Sequence, residues 1–152
     1  MRLITHILFS ILVLLLFEML FHERYLMMIL VLSFVNIVID VMGHSNYRGL
    51  HRTPLTHSPM SATIIGGVWG ASMSIILPFF GAPVSLLFMV AGGIISAWSH
   101  LFLDSMTFSG IFVFGKRFAI AHFTRSLIDV PVIIISFVSI IYILGMVTVW
   151  VP

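Results

Sequence analysis

The hydrophobic residues of this chain fall into five long runs, separated by stretches that contain polar or turn-forming residues. A helix needs about 20 mostly apolar residues to cross a bilayer. The runs of suitable length are Leu3–Leu20, Tyr25–Gly43, Met60–Phe80, Val84–Asp104 and Leu127–Val151. This pattern predicts an all-α integral membrane bundle of about five transmembrane helices. Because no repeat or break divides the pattern, residues 1–152 are predicted to form a single membrane-embedded domain.

The composition supports a membrane protein and restricts the chemistry. Only 8% of the residues are charged, whereas soluble domains average about 25%. A net charge of +2 is too small for a nucleic-acid-binding surface, so no nucleic acid is expected as a stable partner. Because the chain has no cysteine, a metal would have to be bound by His, Asp, Glu or water.

The connections between the runs predict an orientation. Two of them, residues 44–59 and 105–126, are long and polar, and in a five-span topology they lie on the same side as the N-terminus. Six of the seven Lys and Arg residues fall on that side: Arg2, Arg48, Arg52, Lys116, Arg117 and Arg125. By the positive-inside rule, the N-terminus and both long loops are predicted to be cytoplasmic, and the C-terminus outside.

The same topology brings most of the titratable residues to one face of the membrane. They are His6, Asp40, His44, His51, His57, His100, Asp104, His122 and Asp129. On a helix, residues i and i+4 are neighbours, so Asp40/His44 and His100/Asp104 could each clamp one cation. Imidazole and carboxylate ligands suit zinc, with manganese or magnesium as alternatives, and one or two ions. Such pairs are also common as simple hydrogen-bonded pairs.

The loop before the third run has a composition suited to substrate binding. In the sequence, Arg52 stands between His51 and His57. Its guanidinium suits a phosphate or carboxylate, although loop cations by default contact lipid headgroups. The hydroxyls of Thr56 and Ser58 flank His57 and could orient its ring or bond a substrate oxygen. His44 or His51 could be a general base, and Lys116 could bind a substrate phosphate.

Several of these motifs resemble a known family. His51-Arg52 followed by Thr56-His57-Ser58, an earlier Asp40 at the end of an apolar helix, and a later helix ending in His-x-x-x-Asp resemble the YdjM-like predicted membrane-bound metal-dependent hydrolases. The resemblance spans residues 1–130 and is strongest to an archaeal and viral branch. That family is distantly similar to zinc-dependent phospholipase C and single-strand nucleases. The resemblance implies these metal ligands: His6, Asp40, His57, His100 and Asp104, with His51 and His122 less secure.

Three functions are compatible with these features. The first is a membrane-embedded metal-dependent hydrolase that uses metal-activated water to cleave a phosphodiester or related ester, possibly a phospholipid headgroup, at the cytoplasmic face. The second is a metal-ion or proton transporter. The third is a structural membrane protein, such as a viral envelope or remodelling component, in which a metal serves only stability. Two glycine pairs, Gly66-Gly67 and Gly92-Gly93, allow close helix contacts within one chain or in an oligomer.

Overall fold

The computed structural model describes residues 1–21, 26–43 and 53–149. Its helices are α1 (Leu3–Phe21), α2 (Leu26–Ser33), α3 (Val35–Gly43), α4 (Pro59–Ile76), α5 (Leu86–Ser105) and α6 (Arg125–Val149). A 3₁₀ turn, Leu77–Phe80, extends α4, and two short antiparallel strands, β1 (Ile111–Val113) and β2 (Lys116–Phe118), form a hairpin before α6. Five helical spans are long and apolar enough to cross a membrane, which confirms the predicted fold class.

The second span is not one continuous helix, because it is interrupted at Phe34 between α2 and α3. Two polar side chains compete there for the backbone. The hydroxyl of Ser33 donates to the carbonyl oxygen of Leu30 at 2.7 Å, and the side-chain amide of Asn36 donates to the carbonyl oxygen of Ser33 at 2.7 Å. The Asn36 side chain is completely buried, and the hydrogen bond to Ser33 orients it in the interior of the bundle.

The closest helix contact is between α4 and α5, and glycine makes it possible. A Cβ added to Gly66 would overlap the backbone carbonyl of Gly93, and one added to Gly70 would overlap the carbonyl of Met89. Small residues allow this backbone-to-backbone approach in membrane proteins, where helix association depends on close packing. The glycines therefore serve a contact within the chain.

The apolar interior has two parts. One, around Leu14, Leu32 and Met89, joins α1, α2 and α5. The other, which includes Ile39, Leu101 and Ile111, joins α3, α5 and β1. Many large apolar side chains on the outer faces of the spans are exposed, as is expected of surfaces that contact lipid.

The connection formed by residues 105–126 lies at the end of the bundle where α1 and α6 begin and α5 ends. The carboxylate of Asp129 accepts hydrogen bonds from the hydroxyl of Thr5 at 2.8 Å and the backbone N–H of Arg2 at 3.2 Å. The backbone N–H of Ile120 donates to the carbonyl oxygen of Ser105 at 2.8 Å. These bonds hold the 105–126 loop and the start of α6 against the ends of α1 and α5.

Candidate metal centre

Helix α5 supplies two polar groups in its last turns. His100 and Asp104 are four residues apart, so they lie on the same face of the helix. Both side chains are completely buried, and Nε2 of His100 lies 3.5 Å from Oδ2 of Asp104. The i, i+4 spacing therefore places an imidazole and a carboxylate side by side in the interior of the bundle.

His57 reaches the same carboxylate from a turn that precedes α4. Its backbone N–H donates to the carbonyl oxygen of Thr53 at 3.1 Å. The next residue, Ser58, caps α4 through reciprocal hydrogen bonds with Ser61, so the start of the helix is fixed one residue after His57. The buried ring of His57 places its Nε2 3.3 Å from Oδ2 of Asp104. The sequence suggested that the hydroxyl of Ser58 orients the His57 ring or bonds a substrate oxygen. In the structure this hydroxyl caps α4 instead.

Neutral side chains orient two of the imidazoles. Nδ1 of His100 lies 3.1 Å from Oδ1 of Asn36, whose amide group already donates to the carbonyl oxygen of Ser33. Because Oδ1 of Asn36 can only accept, Nδ1 of His100 carries the proton and Nε2 keeps its lone pair. Nδ1 of His57 lies 2.8 Å from the hydroxyl of Thr56. Such partners commonly orient metal-binding histidines and fix their tautomer.

Two further residues enter the cluster from other spans. His6, near the start of α1, places Nε2 3.4 Å from Oδ1 of Asp104. Its ring stacks on that of His100, with the centroids 3.9 Å apart. Asp40, near the end of α3, places Oδ1 3.5 Å from Nε2 of His100. The site thus brings together the five residues that the family resemblance implied as ligands.

The spacing within the cluster fits a metal ion. The four nitrogen–oxygen separations of 3.3–3.5 Å exceed the 2.7–2.9 Å typical of charge-assisted hydrogen bonds. A tetrahedral ion with ligand distances of about 2.0–2.2 Å separates its ligand atoms by about 3.3–3.6 Å. Buried Nδ1 of His6 and Nε2 of His100 also make no hydrogen bond among the described residues. Two groups of ligand atoms, each within 4.8 Å, could hold an ion: His6/His100/Asp104 and Asp40/His57/His100.

The structure does not place the remaining candidate residues in the cluster. His44, His51 and Arg52 lie outside the described residues. Lys116 is exposed on β2. His122 is exposed, stacks on Phe108 with the ring centroids 5.5 Å apart, and belongs to neither group of ligand atoms.

Sequence reasoning overlooked two residues that shape the centre. One is Asn36, which lies one turn before Asp40 and hence on the same face of the helix. Gly43 was not considered, and no local pattern distinguishes it from other helix-terminal glycines. A Cβ added to Gly43 would collide with the ring of His57, whose Nδ1 would be 2.9 Å away. The absence of a side chain at Gly43 therefore provides room for this imidazole.

Replacing Gly43 by Ala should displace the His57 ring and weaken metal binding. We expect a loss of affinity of about ten- to a hundredfold, the range typical of changes in the surroundings of a ligand. Metal titration of detergent-purified protein measures this effect. Met42→Ala is the matched control, because its side chain is 55% exposed and adjacent in sequence. Equal affinity in the two variants would contradict the role assigned to Gly43.

Comparison with known proteins identifies a family without a known activity. The model of a family described as "Protein of unknown function (DUF1286)" matches residues 1–103. The match covers α1 to the last turns of α5 and ends one residue before Asp104. No curated protein and no solved structure matches the chain.

Proposed function

The chain belongs to the DUF1286 family, and from this premise we propose that it is a membrane-embedded, metal-dependent hydrolase of a phosphodiester or related ester. The observation that carries the proposal is the convergence of three imidazoles and two carboxylates, from three spans and the turn before α4, at 3.3–3.5 Å. Buried ionisable residues in a membrane protein are costly and commonly functional. Packing of the helices alone would not require five ionisable side chains in the interior.

Zinc is the ion that best fits the ligand atoms. His57 and His100 are fully buried and place Nε2 at 3.3 and 3.5 Å from Oδ2 of buried Asp104, and an imidazole-rich set favours zinc over magnesium, which prefers six oxygen ligands. These three residues, which draw on both groups of ligand atoms, would hold the ion. His6 approaches the opposite oxygen of Asp104, so it would bind a second ion or orient the carboxylate. Metal content of one or two ions per chain distinguishes these two roles.

Asp40 occupies the corner of the cluster that solvent can reach. Its side chain is 17% exposed, whereas that of His100 beside it is completely buried. A zinc ion would supply Lewis acidity and a lowered pKa for water. The carboxylate of Asp40 would then accept the proton of the attacking water molecule, a contribution of about 10²–10⁴-fold for a general base. If Asp40 is instead a fourth ligand, the ion is closed off and serves stability.

The substrate would come from the membrane surface. The excess of Lys and Arg on the side of the long loops favours a cytoplasmic location for the centre. Its depth near the helix ends suits a lipid-borne ester, whose phosphate Arg52 and Lys116 would contact.

Because the chain lacks cysteine, Lys116→Cys offers a unique label. A membrane-impermeant thiol reagent should modify this cysteine only in inverted membrane vesicles. Labelling in intact cells would show that the long loops lie outside, contrary to the predicted orientation.

The activity can be tested with metal-defined protein in detergent. Zinc-loaded protein should hydrolyse bis(p-nitrophenyl) phosphate or a short-chain phospholipid. Turnover should disappear with chelator and return with zinc, and His57→Ala should abolish it. Asp40→Asn should retain bound zinc and lose about a hundredfold or more in turnover.

Each alternative outcome of this experiment has a defined meaning. Loss of zinc from Asp40→Asn would assign Asp40 as a ligand. Stoichiometric zinc that raises the melting temperature, without turnover of any diester, monoester or carboxyl ester, would favour a structural metal site. Less than one ion per chain, unchanged by His57→Ala, would refute the metal centre itself.

A transporter is the second candidate, and a buried polar chain favours it. His100 is hydrogen-bonded to Asn36, whose side-chain amide donates to the hydroxyl of Ser96 at 3.4 Å. The hydroxyl of Ser96 lies 2.6 Å from that of Ser10. These neutral groups lead from the metal centre toward the middle of the bundle. Zinc uptake into proteoliposomes would support transport, whereas metal-dependent turnover without uptake would support the hydrolase.

A further inference from the structure

The hairpin between α5 and α6 has a strained and fully exposed tip. Val113 pairs with Lys116, so Phe114 and Gly115 form a two-residue turn. Both have positive φ values, 49° and 76°. Turns of this kind favour Asn-Gly, and a residue with a large side chain is strained in the left-handed region. Phe114 is nevertheless completely solvent-exposed. Neither backbone preference nor packing against described residues explains a phenylalanine here.

Arg117 on β2 is fixed beside this tip. Its Nε donates to the carbonyl oxygen of Ser109 at 2.7 Å, and one terminal nitrogen donates to the carbonyl oxygen of Phe108. A guanidinium has five N–H donors, and these two bonds leave about three of them for a ligand. The group also lines an open cleft of about 450 Å³ with Phe108, Ala119 and His122. The cleft therefore presents an oriented cation of the kind that binds phosphate.

The segment that carries this cation also exposes large apolar side chains. Besides Phe114, they are Phe108, Phe118, Ile120 and Phe123, each 47–63% exposed. A site for a soluble phosphate would not need so much exposed apolar surface in the same segment. In a bilayer protein the same combination matches a phospholipid, whose phosphate would contact Arg117 while its acyl chains contact the aromatic residues.

We propose that residues 107–123 form a phospholipid-binding site, in which Arg117 and His122 bind the phosphate and the Phe114 tip enters the lipid interface. Arg117 and His122 belong to neither group of candidate metal ligands, so the site uses other side chains than the metal centre. The proposal does not depend on hydrolysis. Lipid binding should therefore persist in the metal-deficient His57→Ala protein.

Binding can be measured by calorimetric titration of the full chain in detergent, in the metal-deficient His57→Ala background, so that the lipid probe is not hydrolysed. The probes are dihexanoyl phosphatidylglycerol, glycerophosphate and inorganic phosphate. The lipid should bind at least about tenfold more tightly than the two soluble phosphates, because only the lipid contacts the aromatic side chains. Arg117→Gln should weaken lipid binding about tenfold or more, the effect of losing hydrogen bonds from a charged donor. Arg2→Gln, which removes an exposed charge at the same end of the bundle, should change it less than twofold.

A second variant separates lipid binding from hairpin stability. Phe114→Asn introduces a residue that suits the left-handed turn, so the melting temperature should stay equal or rise while lipid affinity falls. Equal effects of Arg117→Gln and Arg2→Gln would overturn the proposal. So would lipid affinity unchanged by Phe114→Asn, or inorganic phosphate that binds as tightly as the lipid. None of these results would bear on metal-dependent turnover.

Discussion

Replacing Asp104 by Asn is expected to remove tightly bound zinc and to lower zinc affinity by about a hundredfold or more. The carboxylate of Asp104 is shared by three imidazoles: Oδ1 faces His6 at 3.4 Å, and Oδ2 faces His57 at 3.3 Å and His100 at 3.5 Å. The amide removes the negative charge that balances the cation. It also turns an N–H donor toward at least one ring nitrogen, where a metal needs a lone pair.

The measurement is metal content by mass spectrometry, followed by zinc titration of chelator-treated protein. Asp129→Asn is the matched control. That carboxylate is also buried, but its partners are the hydroxyl of Thr5 and the backbone of Arg2. The control should bind zinc as the wild type does, although its melting temperature should fall. Wild-type zinc content in Asp104→Asn would exclude Asp104 as a ligand.

Replacing Gly66 by Ala is expected to destabilise the bundle by roughly 1–3 kcal/mol, as overpacking does in other proteins. The added methyl group would overlap the backbone carbonyl of Gly93. No side-chain rotation can relieve a clash with backbone, so α4 and α5 must move apart. The separation should also weaken zinc binding, because His57 precedes α4 while His100 lies on α5.

Gly67→Ala provides the comparison for this clash. The methyl group there would lie 3.8 Å from the side chain of Ile94, an ordinary contact. Thermal unfolding in detergent should show a lower midpoint for Gly66→Ala and an equal or higher one for Gly67→Ala. If both variants melted alike, the close approach of α4 and α5 would not be a determinant of stability.

The helical spans were predictable because a bilayer requires every backbone polar group to be paired within the protein, which long apolar runs satisfy as helices. The interruption at Phe34 was not predicted. Hydropathy is continuous there, and the interruption depends on the particular hydrogen bonds of Ser33 and Asn36. The hairpin was also missed, because Phe114-Gly115 is not a typical turn sequence for two strands.

The candidate centre was predictable only in part. Helical spacing alone placed His100 beside Asp104, and the number of spans placed His6 and His57 at the same end of the bundle. Spacing and topology do not specify contacts between spans, so the approach of His6 and His57 to Asp104 rested on the family resemblance. The role of Gly43 depends on an absent side chain, and it becomes visible only when the His57 ring is positioned against it.

The convergence of side chains from three spans and the turn before α4 has a consequence for biosynthesis. As the chain emerges, α1 brings His6, α3 brings Asp40, and His57 follows immediately before α4, but none of them meets Asp104 until the last turn of α5 has been made. The pocket therefore cannot capture an ion during early insertion. Metal loading would be a late step of maturation that reports correct assembly of the bundle.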